Sequence, residues 1–126
     1  KVLPGYIVPS PQEAELNLQD PMLGKVGSAF TNYIYPQTPE GLTAPEYDPI
    51  AIGLCKKYKQ TYSYMIHGKY LRDASEAQLD ATVQRICKLA TEARVNLMVS
   101  IASVPHGATV EKANYVFKLV ERYGRY

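Results

Sequence analysis

The 126-residue sequence has few cysteines and histidines and no long apolar run. Two cysteines are too few for a disulfide scaffold, and no apolar run approaches the roughly 18 residues that a transmembrane helix needs. The eight glycines are scattered and form no phosphate-binding loop. His67 and His106 share no metal-ligand spacing, and no nucleophile, base and acid occur in a recognisable catalytic context. We therefore expect no membrane insertion and no enzymatic activity.

The composition is that of a folded protein, but the two halves of the chain differ. Hydrophobic residues make up 46% and charged residues 21%, which is typical of globular domains. Eight of the nine prolines lie within the first 49 residues. Residues 1–50 carry a net charge of −4 and residues 51–126 a net charge of +6, so the total of +2 averages two unlike segments.

Residues 1–53 are predicted to form an extended, proline-rich N-terminal arm. The prolines recur too often for a long helix, and each favours extended geometry in the residue before it. One short helical turn is compatible with Pro11–Leu18. Apolar residues between the prolines indicate that the arm covers the protein's own core or lies along a partner and orders on contact; a disordered tail is the third alternative.

Residues 54–126 are predicted to form a small α+β domain with the order strand, helix, strand, helix. Alternating side chains predict strands at 58–67 and 95–103. Apolar stripes at helical spacing predict helices at 75–94 and 109–123. Ser75 and Gln78 form a capping-box pattern, Thr109 is a cap, and Gly124 is expected to be a left-handed helix end.

The predicted sheet has two or three strands. The strand–helix–strand unit favours parallel pairing, and two strands alone are marginally stable. A third strand is expected from Asn32–Tyr35 of the arm, from Lys69–Leu71, or from another chain.

The candidate functional residues are two cysteines and a set of aromatic and basic side chains. Lys56 and Lys57 lie beside Cys55 in the sequence and are expected to lower its pKa, which would favour covalent attachment there. Tyrosine offers a large contact surface with a polar tip. The predicted partner contacts are Tyr6, Tyr33, Tyr35, Lys56, Lys57, Tyr70 and Arg85.

Three segments, in order, resemble the small linker domain of phycobilisomes, the type found in rod-capping linkers. They are an aromatic strand ending in glycine (Thr61–Gly68), a helix with a Gln-Arg-Ile core (Leu79–Leu89) and a Val-Ser-Ile strand (Val99–Ile101). The match covers about a third of the chain. Ala93-Arg94 stands where the family usually has a glycine pair, and only about six residues replace a family strand before the helix.

The resemblance implies a non-enzymatic linker of a light-harvesting phycobilisome. Such linkers lie inside rings of acidic phycobiliprotein subunits, at the stromal or cytoplasmic periphery of the thylakoid in chloroplasts or cyanobacteria. Some red-algal linkers carry a covalently bound bilin, which would give Cys55 or Cys87 a role. No cofactor is otherwise implied.

Two other functions stay open at this stage. One is a structural subunit of another large complex, such as an organellar ribosome, although a net charge of +2 argues against nucleic-acid binding. The other is a small cysteine-dependent enzyme that uses Cys55. The chain begins with Lys1 rather than Met, which indicates processing or truncation.

Overall fold

A parallel three-stranded sheet organises the described part of the chain in this computed structural model, which describes residues 15, 16, 19, 29–31, 48–102 and 106–125. Together with its helices the sheet makes a small α+β domain, as predicted. In chain order the described elements are β1 (Ala29–Thr31), α1 (Asp48–Tyr58), β2 (Thr61–His67), α2 (Gly68–Asp73), α3 (Glu76–Ala93), β3 (Leu97–Ala102) and α4 (Val110–Tyr123).

Strand β2 lies between β1 and β3 and pairs with both in parallel. Tyr62 is opposite Phe30 on one side and Leu97 on the other. The parallel strand–helix–strand prediction for β2, α3 and β3 is therefore confirmed. A central parallel strand is normally covered on both faces, and Tyr62, Ser63 and Tyr64 are accordingly all buried.

The hydrophobic core lies between the sheet and the helices: α1 packs against β2 and α3, and α4 packs against α3. Burying one large apolar side chain contributes roughly 1.5–3 kcal/mol. The largest fully buried apolar side chains of β2 and the helices are Cys55, Tyr62, Tyr64, Ile66, Leu71, Leu79, Val83, Ile86, Cys87 and Val116.

Helix α3 begins with the capping box that the sequence predicts. The Ser75 hydroxyl accepts a hydrogen bond from the Gln78 amide at 3.2 Å, and the Gln78 side chain accepts one from the Ser75 amide at 2.8 Å. The helix ends at Arg94, which has a left-handed φ of 57°. The Val95 amide donates back to the Ala90 carbonyl at 2.9 Å, as in a Schellman end.

Helix α4 begins as predicted, but the expected left-handed end at Gly124 is wrong. Thr109 caps the helix by accepting a hydrogen bond from the Lys112 amide at 3.2 Å. Gly124 has φ −87°, and its amide donates to the Val120 carbonyl at 2.8 Å. A Cβ at this position would lie 2.6 Å from that carbonyl oxygen, so glycine is required here for space.

Helix α1 occupies a region that was predicted to be the end of the extended arm and the start of the first strand. Helix α1 runs across the boundary drawn at residue 53, and it includes Tyr58, which was assigned to the first strand. It ends in a Schellman motif: Lys59 has φ 55° and the Gln60 amide donates to the Cys55 carbonyl at 2.8 Å. Strand β2 therefore starts only at Thr61.

The third strand does come from the N-terminal region, but from Ala29–Thr31. The Lys69–Leu71 alternative is wrong because this segment lies in helix α2, where the His67 Nδ1 atom accepts a hydrogen bond from the Lys69 amide at 3.2 Å. Residues 32–35 lie outside the described part of the chain. Glu15 and Leu16, within the turn predicted at Pro11–Leu18, are helical.

Candidate functional site

A buried polar cluster joins α1, β2 and α3. The Asp48 side chain is fully buried, and its Oδ1 atom accepts a hydrogen bond from the Tyr62 hydroxyl at 2.9 Å. Its Oδ2 atom lies 2.6 Å from Arg85 Nη1 in a charge-assisted hydrogen bond. Burying a carboxylate costs free energy unless it is paired with a cation and hydrogen-bonded. Asp48 has both, an ion pair with Arg85 and a hydrogen bond from Tyr62.

Local structure places each member of this cluster. Asp48 lies in the first turn of α1, where the positive pole of the helix favours a carboxylate, and Pro49 is well suited to the same turn. Burial alone would lower the pKa of Arg85. The hydrogen bond to Asp48 and the negative charge of that carboxylate outweigh burial, so the pKa of Arg85 is raised. The cluster therefore contains a charged pair, Asp48 and Arg85, and together with Tyr62 it connects α1, β2 and α3.

Arg85, a predicted partner contact, also makes an interaction within the domain. Its side chain is 32% exposed, and its guanidinium bonds Asp48, 37 residues away in the sequence. The helical spacing places Arg85 on the polar face of α3, but nothing in the sequence indicates that the buried acid Asp48 lies beside it.

Both cysteines are buried free thiols. The expectation that Lys56 and Lys57 lower the pKa of Cys55 is wrong, because burial raises that pKa to about 12. Burial also raises the pKa of Cys87. A thiol reacts as its thiolate, so neither cysteine is primed for nucleophilic chemistry in this conformation.

Cys87 lines a small crevice between α3, α4 and β3. The crevice has a volume of about 110 Å³, below the roughly 300–1,000 Å³ of pockets for drug-sized ligands. A tetrapyrrole on this thiol would require the helices to separate. The other lining residues are Ala90, Thr91, Leu97, Val120 and Gly124.

The predicted contacts Lys56 and Lys57 lie exposed at the C-terminal end of α1. Lys57 Nζ lies 2.5 Å from Glu15 Oε1, and the Tyr58 hydroxyl donates to the same oxygen at 3.0 Å. Gln19 Nε2 donates to the Tyr58 hydroxyl at 3.2 Å. An acidic segment from the N-terminal region therefore contacts the basic end of this helix.

The predicted partner tyrosines have different outcomes. Tyr70 is half-buried, and its hydroxyl lies 3.1 Å from Thr82 Oγ1, so it packs against α3. Tyr6, Tyr33 and Tyr35 lie outside the described residues.

A basic groove at the C-terminal end of α4 was not singled out from the sequence. Lys118, Arg122 and Arg125, together with Glu121, line an open groove of about 360 Å³. The three cations are exposed, and within the described residues none of them forms an ion pair. Lys118 and Arg122 are four residues apart on one face of α4, and Arg125 follows just beyond the end of the helix, so a run of basic residues at this spacing is the signal that could have identified them.

Two kinds of site were also sought in the described ranges. No three His, Cys, Asp or Glu side chains there come together as a set that could hold a metal ion. Of the helices described, none has the length and apolar character needed to cross a bilayer.

No known protein-family model, curated protein sequence or solved structure matches this chain.

Proposed function

We propose that this chain is a non-enzymatic linker that bridges larger acidic subunits, and specifically phycobiliprotein subunits of a light-harvesting phycobilisome. In this proposal it acts at the stromal or cytoplasmic periphery of the thylakoid. Its mechanism is binding: exposed cations of the folded domain contact acidic surfaces of two neighbouring subunits.

The basic groove of α4 is the observation that carries the proposal. Lys118, Arg122 and Arg125 are exposed together, and no described acid neutralises them through an ion pair. Charges grouped in this way steer association with a surface of opposite sign and suppress wrong partners. An acidic subunit supplies that surface.

The resemblance to phycobilisome linkers supports the more specific part of the proposal. Its three segments lie, in order, in β2 and the start of α2, in α3, and in β3. Arg94 takes the left-handed conformation at the end of α3, close to where the family has its glycine pair. The chain departs from the family pattern at α2, which is helical where the family has a strand.

Cys55 and Cys87 are 0% and 1% exposed, respectively, so attachment of a tetrapyrrole would require the core to open.

Binding of the purified full chain to purified phycocyanin or allophycocyanin rings tests the proposal. We expect co-sedimentation that weakens as salt is raised, because exposed charges are screened at higher ionic strength. Reversing two charges of the groove, Lys118→Glu with Arg122→Glu, should weaken binding at least about tenfold if each contributes as a close interfacial pair does.

A matched control reverses Lys69 and Lys88, two exposed cations on other helices. This control changes net charge by the same amount and should retain most of the binding. Equal losses in both variants would show a non-specific charge effect and contradict the groove assignment. Failure of the wild-type chain to bind rings, with co-sedimentation on ribosomal RNA instead, would overturn the antenna proposal.

A further inference from the structure

The C-terminal end of α1 contains two donors that converge on one carboxylate oxygen. Lys57 Nζ and the Tyr58 hydroxyl lie 2.5 and 3.0 Å from Glu15 Oε1. Gln19 then donates to the same Tyr58 hydroxyl at 3.2 Å. The arrangement recognises a carboxylate and, through the tyrosine, a side-chain amide that follows it.

The acidic segment presents these groups one helical turn apart. Glu15, Leu16 and Gln19 are helical, and residues four apart lie on the same helix face. The ligand seen here is therefore a glutamate and a glutamine in the pattern Glu-x-x-x-Gln on a helical segment. This pattern defines the chemistry that fits the end of α1.

The contact between Lys57 and Glu15 is one that another carboxylate could replace. The Lys57 and Glu15 side chains are 62% and 33% exposed, and exposed ion pairs contribute little to stability. The hydrogen bond from Lys57 lowers the pKa of Glu15, and Glu15 in turn raises the pKa of Lys57. Both groups are thus charged at neutral pH, and a second carboxylate can compete for the same donors.

The surroundings favour an acidic partner over a neutral one. Lys56 and Lys59 are exposed beside the site, so the side chains around it carry a positive charge that attracts a partner of negative charge. Lys57 also lies 5.3 Å from the centre of the Tyr58 ring. The position of the ammonium group is therefore set by the aromatic ring as well as by Glu15.

We propose that Lys57 and Tyr58 form a recognition site for acidic protein partners that present Glu-x-x-x-Gln on a helix, and that Glu15 of the chain itself occupies this site until such a partner binds. The assignment of the partner as an acidic protein subunit rests on the proposed function. The site itself rests on the contacts made by Glu15 and Gln19.

The reactivity of the Lys57 amine in the full-length chain tests occupancy. Residue-resolved acetylation, followed by mass spectrometry, measures how available each lysine is. In the Glu15→Gln variant, the reagent should acetylate Lys57 about two- to fivefold faster than in the wild type. This range corresponds to the free energy that an exposed ion pair contributes. Glu111→Gln is the matched control, because it makes the same charge change on α4 and should leave the Lys57 rate unchanged.

A peptide with the sequence of residues 11–24 then serves as the probe. Added in excess to the Glu15→Gln protein, it should slow acetylation of Lys57, whereas the same peptide with Gln in place of its glutamate at position 15 should not. An unchanged Lys57 rate in Glu15→Gln would overturn occupancy by Glu15. Equal protection by both peptides would overturn carboxylate recognition.

Phycobiliprotein rings separate this proposal from the proposed function. If rings bind through the α4 groove and leave the Lys57 rate unchanged, the α1 site is not a partner site and this inference alone fails. If rings do not bind, but Lys57 responds to Glu15→Gln and to the peptide, the carboxylate site stands and the phycobilisome function is overturned.

Discussion

Removing Arg85, whose partner Asp48 is buried, should destabilise the domain far more than removing an arginine whose acidic partner is exposed. In Arg85→Met the aliphatic stem is kept and the charge is lost, so Asp48 keeps its Tyr62 hydrogen bond but loses its 2.6 Å ion pair. Breaking a buried pair by removing one member costs about 3–5 kcal/mol when both members are fully buried. Arg85 is one-third exposed, so we expect a loss of about 2–4 kcal/mol in the free energy of unfolding.

A double-variant cycle isolates the interaction. Asp48→Asn removes the carboxylate charge with little change in shape, and we expect the double variant with Arg85→Met to lose about 1–3 kcal/mol less than the sum of the single losses. Tyr62→Phe should cost about 1.5–3 kcal/mol, because a fully buried hydroxyl that bonds a charged acceptor is deleted.

Urea denaturation of the full chain at pH 7, followed by circular dichroism, measures these changes. Arg72→Met is the matched control, since Arg72 is about as exposed as Arg85 (37% against 32%) but pairs with Asp73, which is 53% exposed, whereas Asp48 is buried. The control should change the midpoint little. A loss below about 0.5 kcal/mol for Arg85→Met, or full additivity in the cycle, would refute the view that the buried pair fixes α1.

Three further predictions concern single positions. Cys55 should react slowly with iodoacetamide, since a pKa of about 12 leaves roughly one thiol in ten thousand ionised at pH 8; a rate equal to that of the denatured protein would contradict its burial. Ser75→Ala should lower the free energy of unfolding by about 1 kcal/mol through loss of the cap, and an unchanged urea midpoint would contradict this. Arg94→Gly should preserve stability or raise it by about 1 kcal/mol because φ is 57°, and a clear loss would contradict this.

The part of the fold that was predictable is the part specified by local patterns. The stripe and capping box of α3, the cap of α4 and the alternation in β3 lie within short windows of sequence, so each could be located from its own residues. The parallel order of β2 and β3 followed from the general behaviour of strand–helix–strand units. The source of the third strand depends on a pairing across about 30 residues, and no local pattern identifies it.

Helix α1 was missed because its one proline, Pro49, was interpreted in the same way as the prolines that precede the helix, as a sign of extended structure. Pro49 lies in the first turn of α1, where it costs no helical hydrogen bond. The pair Asp48-Pro49 followed by buried Ala51, Ile52 and Cys55 is a helix-start pattern that the sequence did contain. The Asp48–Arg85 pair was beyond sequence reasoning, since it depends on packing between two helices 37 residues apart in the chain.

The geometry of α1 explains both the wrong expectation for Cys55 and the position of the proposed recognition site. Successive residues of a helix are about 100° apart around its axis, so Lys56 and Lys57 point away from Cys55 although they adjoin it in sequence. The thiol faces the core, where burial raises its pKa, and the lysines face outward, where Glu15 contacts Lys57. One end of the helix is fixed to the core by Asp48 and the other is held by an exchangeable contact. A partner that displaces Glu15 would therefore bind a rigid surface without having to unfold it.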